Sequence, residues 1–163
     1  MASVLTNPDG FFSELSAKDV NMEIPLLIVL IALSSTVIVS GIVAIISLLV
    51  VFIMWLLCTG VFYIISIFFG GKGSFKRCLE FVGYGFIPMI VLLWIRPIIV
   101  ITLPPTIDFS SVYTILGITI LLWSANIWIF AVKHARNLSA RNALITVGAP
   151  VGLYLIYNIS III

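Results

Sequence analysis

The side chains of this sequence that could act in catalysis or metal binding are few and far apart. The 163 residues include one histidine, His134, and two cysteines, Cys58 and Cys78. No HExxH motif is present, and no serine has a partner histidine at the same predicted membrane depth. The glycines at 70–73 surround a lysine but lack the Lys-Ser/Thr ending of a phosphate-binding loop. The pattern therefore predicts no catalytic residue, no metal site and no cofactor.

The overall composition is that of an integral membrane protein. Hydrophobic residues make up 63% of the chain and charged residues 9%, against roughly 45–50% and 25% in soluble domains. This composition excludes a soluble enzyme, a nucleic-acid-binding protein and a disordered tail. The net charge of +2 favours no class of partner by its sign.

Five apolar segments are long enough to cross a bilayer at about 20 residues each. Residues 24–69 carry no charged side chain and are more than twice that length, so we expect two spans with a break around Ser40-Gly41. The other spans are predicted at 81–101, 112–132 and from 143 to the C-terminus, with a turn at 103–108. The fold class is therefore an all-α, polytopic transmembrane helical bundle of five spans, and residues 24–163 form its membrane domain.

The basic residues predict how this bundle is oriented. Seven of the eight Lys and Arg side chains lie in three segments. These are Lys18 in the N-terminal tail, Lys72, Lys76 and Arg77 in one loop, and Lys133, Arg136 and Arg141 in another. With five spans the three segments share one side, and the positive-inside rule places the N-terminus in the cytoplasm and the C-terminus outside. The six loop cations are candidate contacts for anionic lipids or partner proteins, and the simpler alternative is that they only fix the topology.

The cytoplasmic tail, residues 1–23, contains one predicted short helix. Asn7 is a favourable N-cap and Pro8 suits the first helical position. Phe11, Phe12 and Leu15 would share one face of this helix. It would then lie on the bilayer surface, or alternatively fray, because isolated helices this short are marginal.

Two polar residues within the spans have a functional and a structural interpretation. Arg96 is the eighth cation, and a charge inside a span is by default a functional candidate. The alternative is that Arg96 extends to the outer interface near Asp108. Asn126 is expected to hydrogen-bond between helices or to line a polar pathway.

Small residues and prolines predict where helices approach each other closely. Gly83 and Gly85 lack a Cβ, and Pro88 should bend the helix just beyond them. Gly148 and Gly152 form a GxxxG pair, which would make either a packing notch within the monomer or a dimer interface.

When the sequence is aligned with itself at one constant offset, Ser74 pairs with Ser139 and Gly83 with Gly148. Spans two and three are therefore expected to repeat as spans four and five. Each serine would cap a helix with a basic first turn, and Gly83 would pack against Gly148. Chance similarity is the alternative.

Three stretches resemble the Yip family of five-pass membrane proteins, named for their interaction with Ypt/Rab GTPases. They are GGKGSFKR at 70–77, GYGFIP at 83–88 and HARNLSARNA at 134–143. The Asp-Leu-Tyr-Gly-Pro motif of eukaryotic members is absent, which counts against binding of a small GTPase. The resemblance therefore implies an archaeal-type member in a prokaryotic cell membrane, with a non-enzymatic role in membrane organisation or trafficking.

Two functions remain open from the sequence. The first is an adaptor or scaffold whose partners are membrane lipids, other membrane proteins or a second copy of the chain. The second is a small oligomeric channel or transporter. A continuous polar cavity would favour transport, and a packed interior would favour the adaptor.

Overall fold

The computed structural model describes residues 2–40, 43–102 and 109–162, and the side chains of residues 3–31, 49–95 and 111–158. Every regular element in these ranges is a helix, which confirms the all-α prediction. The helices are α1 (Ala2–Thr6), α2 (Pro8–Ser16), α3 (Glu23–Ser40), α4 (Val43–Phe68), α5 (Phe75–Tyr84), α6 (Ile87–Thr102), α7 (Phe109–Arg136) and α8 (Ala140–Ile162). The break expected around Ser40-Gly41 and the turn predicted at 103–108 include residues that lie outside the described part of the chain.

Membrane-spanning character is evident in the described part of the chain. Leu49–Phe68 and Ser111–Arg136 are each long and apolar enough to cross a bilayer. The pair Phe75–Tyr84 and Ile87–Ile95, bent by 40°, makes a third candidate if it is one span. The protein is therefore an α-helical membrane protein.

The bend between α5 and α6 has the cause that the sequence predicts. The backbone N–H of Gly85 donates to the Val82 carbonyl at 3.0 Å, and that of Phe86 donates to the Gly83 carbonyl at 3.2 Å, which tightens the last turn of α5. Pro88 has no N–H to continue the helical bonding across this point. The predicted bend at Pro88 is confirmed.

Helix α7 lies at the centre of the bundle, where it packs against α2, α4, α5, α6 and α8. Ile127, Ala131 and Val132 on its inner side are completely buried. Alanine at 131 lets neighbouring helices approach closely, which matters because dispersion contacts drive helix association in lipid. Helix α3 packs on the other side of the bundle, against α4, α5 and α6.

The short helix α2 forms as predicted, but it packs on the helical bundle and not on the bilayer surface. The Asn7 side chain accepts a hydrogen bond from the Gly10 N–H at 3.1 Å, so the predicted N-cap is confirmed. Phe12 is fully buried, with its ring centroid 5.1 Å from that of Phe81 and 6.1 Å from that of Tyr84. The apolar face of α2 therefore packs against the bundle. The helix is not frayed, and this face does not contact the bilayer.

Candidate functional site: a basic face and an apolar cavity

The three basic segments meet at one end of the bundle. The Lys72 N–H donates to the Arg136 carbonyl at 2.8 Å, which joins the loop after α4 to the end of α7. Lys133 forms an ion pair with Asp9 at 2.6 Å, and Arg77 donates to the Lys18 carbonyl. We call this end, formed by residues 3–21, 69–80 and 133–142, the basic face. The expectation that these segments share one side agrees with their contacts.

Arg136 fixes the glycine loop from within the protein. Its Nε donates to Ser66 Oγ at 2.8 Å, and its two terminal nitrogens donate to the carbonyls of Gly71, at 2.7 Å, and of Gly73. The guanidinium carbon also lies 4.1 Å from the ring centroid of Tyr63. Because Arg136 is only 2% exposed, the prediction that it contacts lipid or a partner is wrong.

The glycines at 70–73 allow this loop to lie close to Ser66 and to the end of α7. A Cβ at Gly71 would lie 2.8 Å from the Ser66 carbonyl oxygen, and one at Gly73 would overlap the Ala135 carbonyl. Gly70 has a φ of 72°, in the left-handed region where a side chain is strained. The glycine run therefore serves packing against α7.

Arg77 and Glu80 connect the N-terminal segment to α5. Arg77 donates to Glu80 Oε2 at 2.9 Å, and the Asn21 N–H donates to Glu80 Oε1 at 3.0 Å. Glu80 is completely buried, so both of its oxygens need these partners. Arg77 thus has a structural role, which its spacing of three residues from Glu80 on one helix could have indicated.

Asp9 docks α2 onto the end of α7. Its Oδ1 lies 2.6 Å from Lys133 Nζ and 2.7 Å from His134 Nε2. The hydrogen bonds from Lys133 and then His134 hold the pKa of the Asp9 carboxyl below its usual value. Sequence reasoning missed Asp9, because no local pattern connects it to residues so distant along the chain.

Three of the six candidate cations remain exposed. The side chains of Lys72, Lys76 and Arg141 make no hydrogen bond or ion pair with the described residues, and the side chain of Lys18 beside them is also exposed. These side chains form the accessible charge of the basic face. The other three, Arg77, Lys133 and Arg136, bind groups of the same chain.

The predicted packing at Gly83 and Gly85 exists, but with other partners. A Cβ at Gly83 would lie 2.7 Å from Pro25 Cβ and 3.2 Å from Trp55 Cζ2, and one at Gly85 would overlap the Trp128 indole. The expectation that Gly83 packs against Gly148 is wrong, because a Cβ at Gly148 would meet nothing within 4 Å.

The GxxxG pair makes no notch within the described monomer. A Cβ at Gly152, like one at Gly148, would have open space around it. Helix α8 turns this part of its surface away from the bundle. A dimer interface at this pair remains a prediction.

The repeat appears in the helix caps but not in the packing. Ser74 Oγ accepts from the Arg77 N–H at 3.1 Å, and Ser139 Oγ accepts from the Asn142 N–H at 3.3 Å. Both predicted caps are confirmed. Gly83 is buried and Gly148 is exposed, so the equivalent positions have different surroundings.

Asn126 and Ser124, two polar residues in the C-terminal half of α7, have different surroundings. Asn126 is exposed, so it does not hydrogen-bond inside the monomer as one prediction had it. Ser124 is completely buried, and its Oγ has no hydrogen-bond partner among the described residues. The side chain of Arg96 lies outside the described residues.

A cavity of about 710 Å³ lies between α4, α6, α7 and α8. Aromatic rings close one end of it: the Trp128 centroid is 5.4 Å from that of Phe86 and 5.7 Å from that of Phe62. Its middle is lined by apolar residues and glycine, including Leu57, Met89, Gly117, Leu121 and Val151. Sequence analysis did not predict this cavity, since helices that are apolar on all sides do not reveal which faces stay unfilled.

These features define the class of protein: an α-helical membrane protein with a charged face at one end and an apolar interior. A family model described as the Yip1 domain matches residues 2–162. The chain therefore belongs to the Yip1 domain family, as the three sequence stretches indicated.

One relative is an uncharacterised protein of the archaeon Methanocaldococcus jannaschii. It is 40% identical to this chain over a region that covers 56% of this chain and 81% of the relative. No solved structure matches the chain.

Proposed function

We propose that the chain is a non-enzymatic membrane-organising adaptor of the Yip type, whose basic face binds anionic surfaces. The observation that carries the proposal is the division of the cations at this face. Arg77, Lys133 and Arg136 are bound by groups of the same chain, and Arg136 holds the loop that carries Lys72. The side chains of Lys72, Lys76 and Arg141 are exposed. A cationic surface on a fixed backbone loses little conformational entropy when it binds.

The proposal places the basic face in the cytoplasm of a prokaryotic, archaeal-type cell. In this arrangement α3, α4, the bent pair α5–α6, α7 and α8 are five spans, residues 1–23 are the cytoplasmic tail and residues 24–163 are the membrane domain. The meeting of three basic segments at one end supports it, because the positive-inside rule then applies to all of them together. Anionic lipids attract each exposed Lys or Arg there by about 1 kcal/mol.

The partners proposed for this face are anionic lipid headgroups and the acidic surfaces of other membrane proteins, including a second copy of the chain. Nucleic acid and a small GTPase are not among them. The absence of the Asp-Leu-Tyr-Gly-Pro motif supports the omission of the GTPase.

The alternative, a small oligomeric channel or transporter, receives less support. A permeation path needs several polar groups facing a shared cavity. The cavity described above has aromatic rings at one end and an apolar middle, so it does not provide a continuous polar path.

The test is binding of the protein, held in nanodiscs of zwitterionic lipid, to vesicles with and without an anionic lipid. Replacing Lys72, Lys76 and Arg141 together with Gln should lower binding to the anionic vesicles at least tenfold and reduce its salt dependence. The thermal stability should stay unchanged, because none of the three side chains has a partner among the described residues.

Lys133→Gln is the matched control. It also removes a cation from the basic face, but one that is paired with Asp9 at 2.6 Å. It should leave most vesicle binding intact and loosen α2. Equal binding by the parent and the triple variant would contradict the adaptor proposal and leave these charges a role in topology alone.

A further inference from the structure

We propose that the cavity between α4, α6, α7 and α8 is a binding site for one hydrocarbon chain of an amphiphilic lipid. The polar head would lie at the end lined by Tyr113, Thr114 and Asn158, and the tail would end against Trp128. This inference does not depend on the basic face, which is at the opposite end of the bundle.

The shape of the cavity fits a single chain. Tyr113 and Trp128 both line it and are separated by about 22 Å along α7 at 1.5 Å per residue. A volume of about 710 Å³ spread over that length makes the cavity elongated, which suits one extended or gently bent hydrocarbon chain.

The distribution of polar groups gives the ligand a direction. Tyr113 and Thr114 lie near the start of α7 and Asn158 near the end of α8, and these helix ends are both remote from the basic face. The opposite end of the cavity is closed by the rings of Phe62, Phe86 and Trp128. The cavity thus has polar side chains at one end, where Asn158 Nδ2 also donates to the Tyr154 carbonyl at 2.8 Å, and aromatic rings at the other. This polarity matches a molecule with one polar head and one tail.

The surroundings explain why such a chain would bind. The cavity is bordered by helices that qualify as membrane spans, among them Leu49–Phe68 and Ser111–Arg136. An empty apolar space at this depth leaves the lining side chains without dispersion contacts. The volume also falls within the range of about 300–1,000 Å³ that is typical of ligand sites lined mainly by apolar side chains.

Gly117 offers a way to fill the cavity without disturbing the helices. It lines the cavity, and a Cβ there would meet only Leu92 Cδ2, at an ordinary distance of 3.9 Å. In Gly117→Leu the remaining side-chain atoms would project into the space that the lipid chain needs. Gly148→Leu is the matched control, because it makes the same substitution at an exposed position with nothing within 4 Å.

The experiment uses two photoreactive probes, a free fatty acid and a bilayer lipid, each with a diazirine near the end of its chain. After illumination of the protein in membranes, peptides are mapped by mass spectrometry. We expect labelling near Phe62, Phe86 and Trp128, reduced at least fivefold in Gly117→Leu and unchanged in Gly148→Leu. Labelling by the fatty acid probe identifies a free amphiphile, and labelling by the lipid probe alone identifies a bilayer lipid.

A second variant separates ligand exclusion from misfolding. Cys58 lines the cavity from α4, and Cys58→Leu should reduce labelling in the same way from the opposite wall. Equal labelling of parent and both variants, or labelling spread evenly over outward residues such as Leu153 and Ile156, would overturn the proposal in favour of bulk lipid contact. Conversion of a dimer to a monomer by Gly117→Leu would overturn it in favour of a second copy of the chain.

Discussion

The indole ring of Trp128 occupies the space where a side chain on Gly85 would project. The same indole donates from Nε1 to the Val82 carbonyl at 2.9 Å. That carbonyl lies in the last turn of α5, where the bend before α6 weakens the helical bonding. Trp55 on α4 also donates from its indole Nε1, to the Leu79 carbonyl of α5 at 3.0 Å. Two tryptophans thus stabilise the bent span from both sides. Each packs against a glycine, because a Cβ at that position would come too close to the indole ring.

Gly85→Ala should destabilise the protein, because the added methyl group overlaps a fully packed indole. Overpacking of this kind costs about 1–3 kcal/mol, visible as a lower midpoint of thermal unfolding in detergent. Gly148→Ala is the control: its Cβ meets nothing, and alanine is favoured over glycine in a helix by up to about 1 kcal/mol. The packing role of Gly85 would be contradicted by equal midpoints for the two variants.

Arg136→Lys should clearly destabilise the protein, although the substitution keeps the positive charge. A lysine cannot reproduce the fork that reaches Ser66, Gly71 and Gly73, and each buried acceptor left without a donor costs about 1–3 kcal/mol. Arg141→Lys, at an exposed position, should have no measurable effect. Thermal unfolding and the protease sensitivity of residues 70–74 report the difference, and a stable Arg136→Lys with a protected loop would disprove the clamp.

Docking of α2 should depend on acid pH through Asp9. Its folded-state pKa is lowered, so the stabilisation is fully present above the usual carboxyl pKa of about 3.9. It is lost as the pH falls from there through the lowered value. Hydrogen exchange of α2, corrected for intrinsic rates, should therefore increase below about pH 4.

The control for this pH effect is a carboxylate in the same tail. Asp9→Asn should show weak protection of α2 at every pH, whereas Asp19→Asn should behave like the parent. An unchanged acid transition in Asp9→Asn would assign the effect to another group.

The five-span orientation predicts which positions a membrane-impermeant thiol reagent reaches. With Cys58 and Cys78 replaced by alanine, single cysteines at Lys72 and Asn137 should react only from the cytoplasm. A cysteine at Thr106 should react only from outside. Reaction of positions 72 and 137 from opposite faces would refute the five-span arrangement.

Local features of this fold could be predicted from the sequence, because short-range chemistry determines them. The caps at Asn7, Ser74 and Ser139 need only a side chain and an N–H three residues away, and Pro88 interrupts a helix wherever it packs. The grouping of the basic segments at one end follows from span length alone.

The choice of helix faces could not be predicted. Gly83 and Gly148 have similar sequence surroundings, but in lipid an outward face is as apolar as an inward one, so composition does not distinguish them. For a related reason, the sequence could not predict which cations are buried and which are exposed. Arg136 and Arg141 are both basic residues at a helix end, and only the position of the Gly71 carbonyl determines which one is buried.

The contacts of α2 and of the glycine loop set an order for biosynthesis. Asp9 binds Lys133 and His134, and the carbonyls of Gly71 and Gly73 accept from Arg136, so both segments wait for the end of α7 to be translated. Until then the carbonyls of Gly71 and Gly73 depend on water or a membrane insertase for partners. Nascent chains that stop before residue 133 should therefore be recognised by quality-control proteases, although three of their proposed spans are already complete.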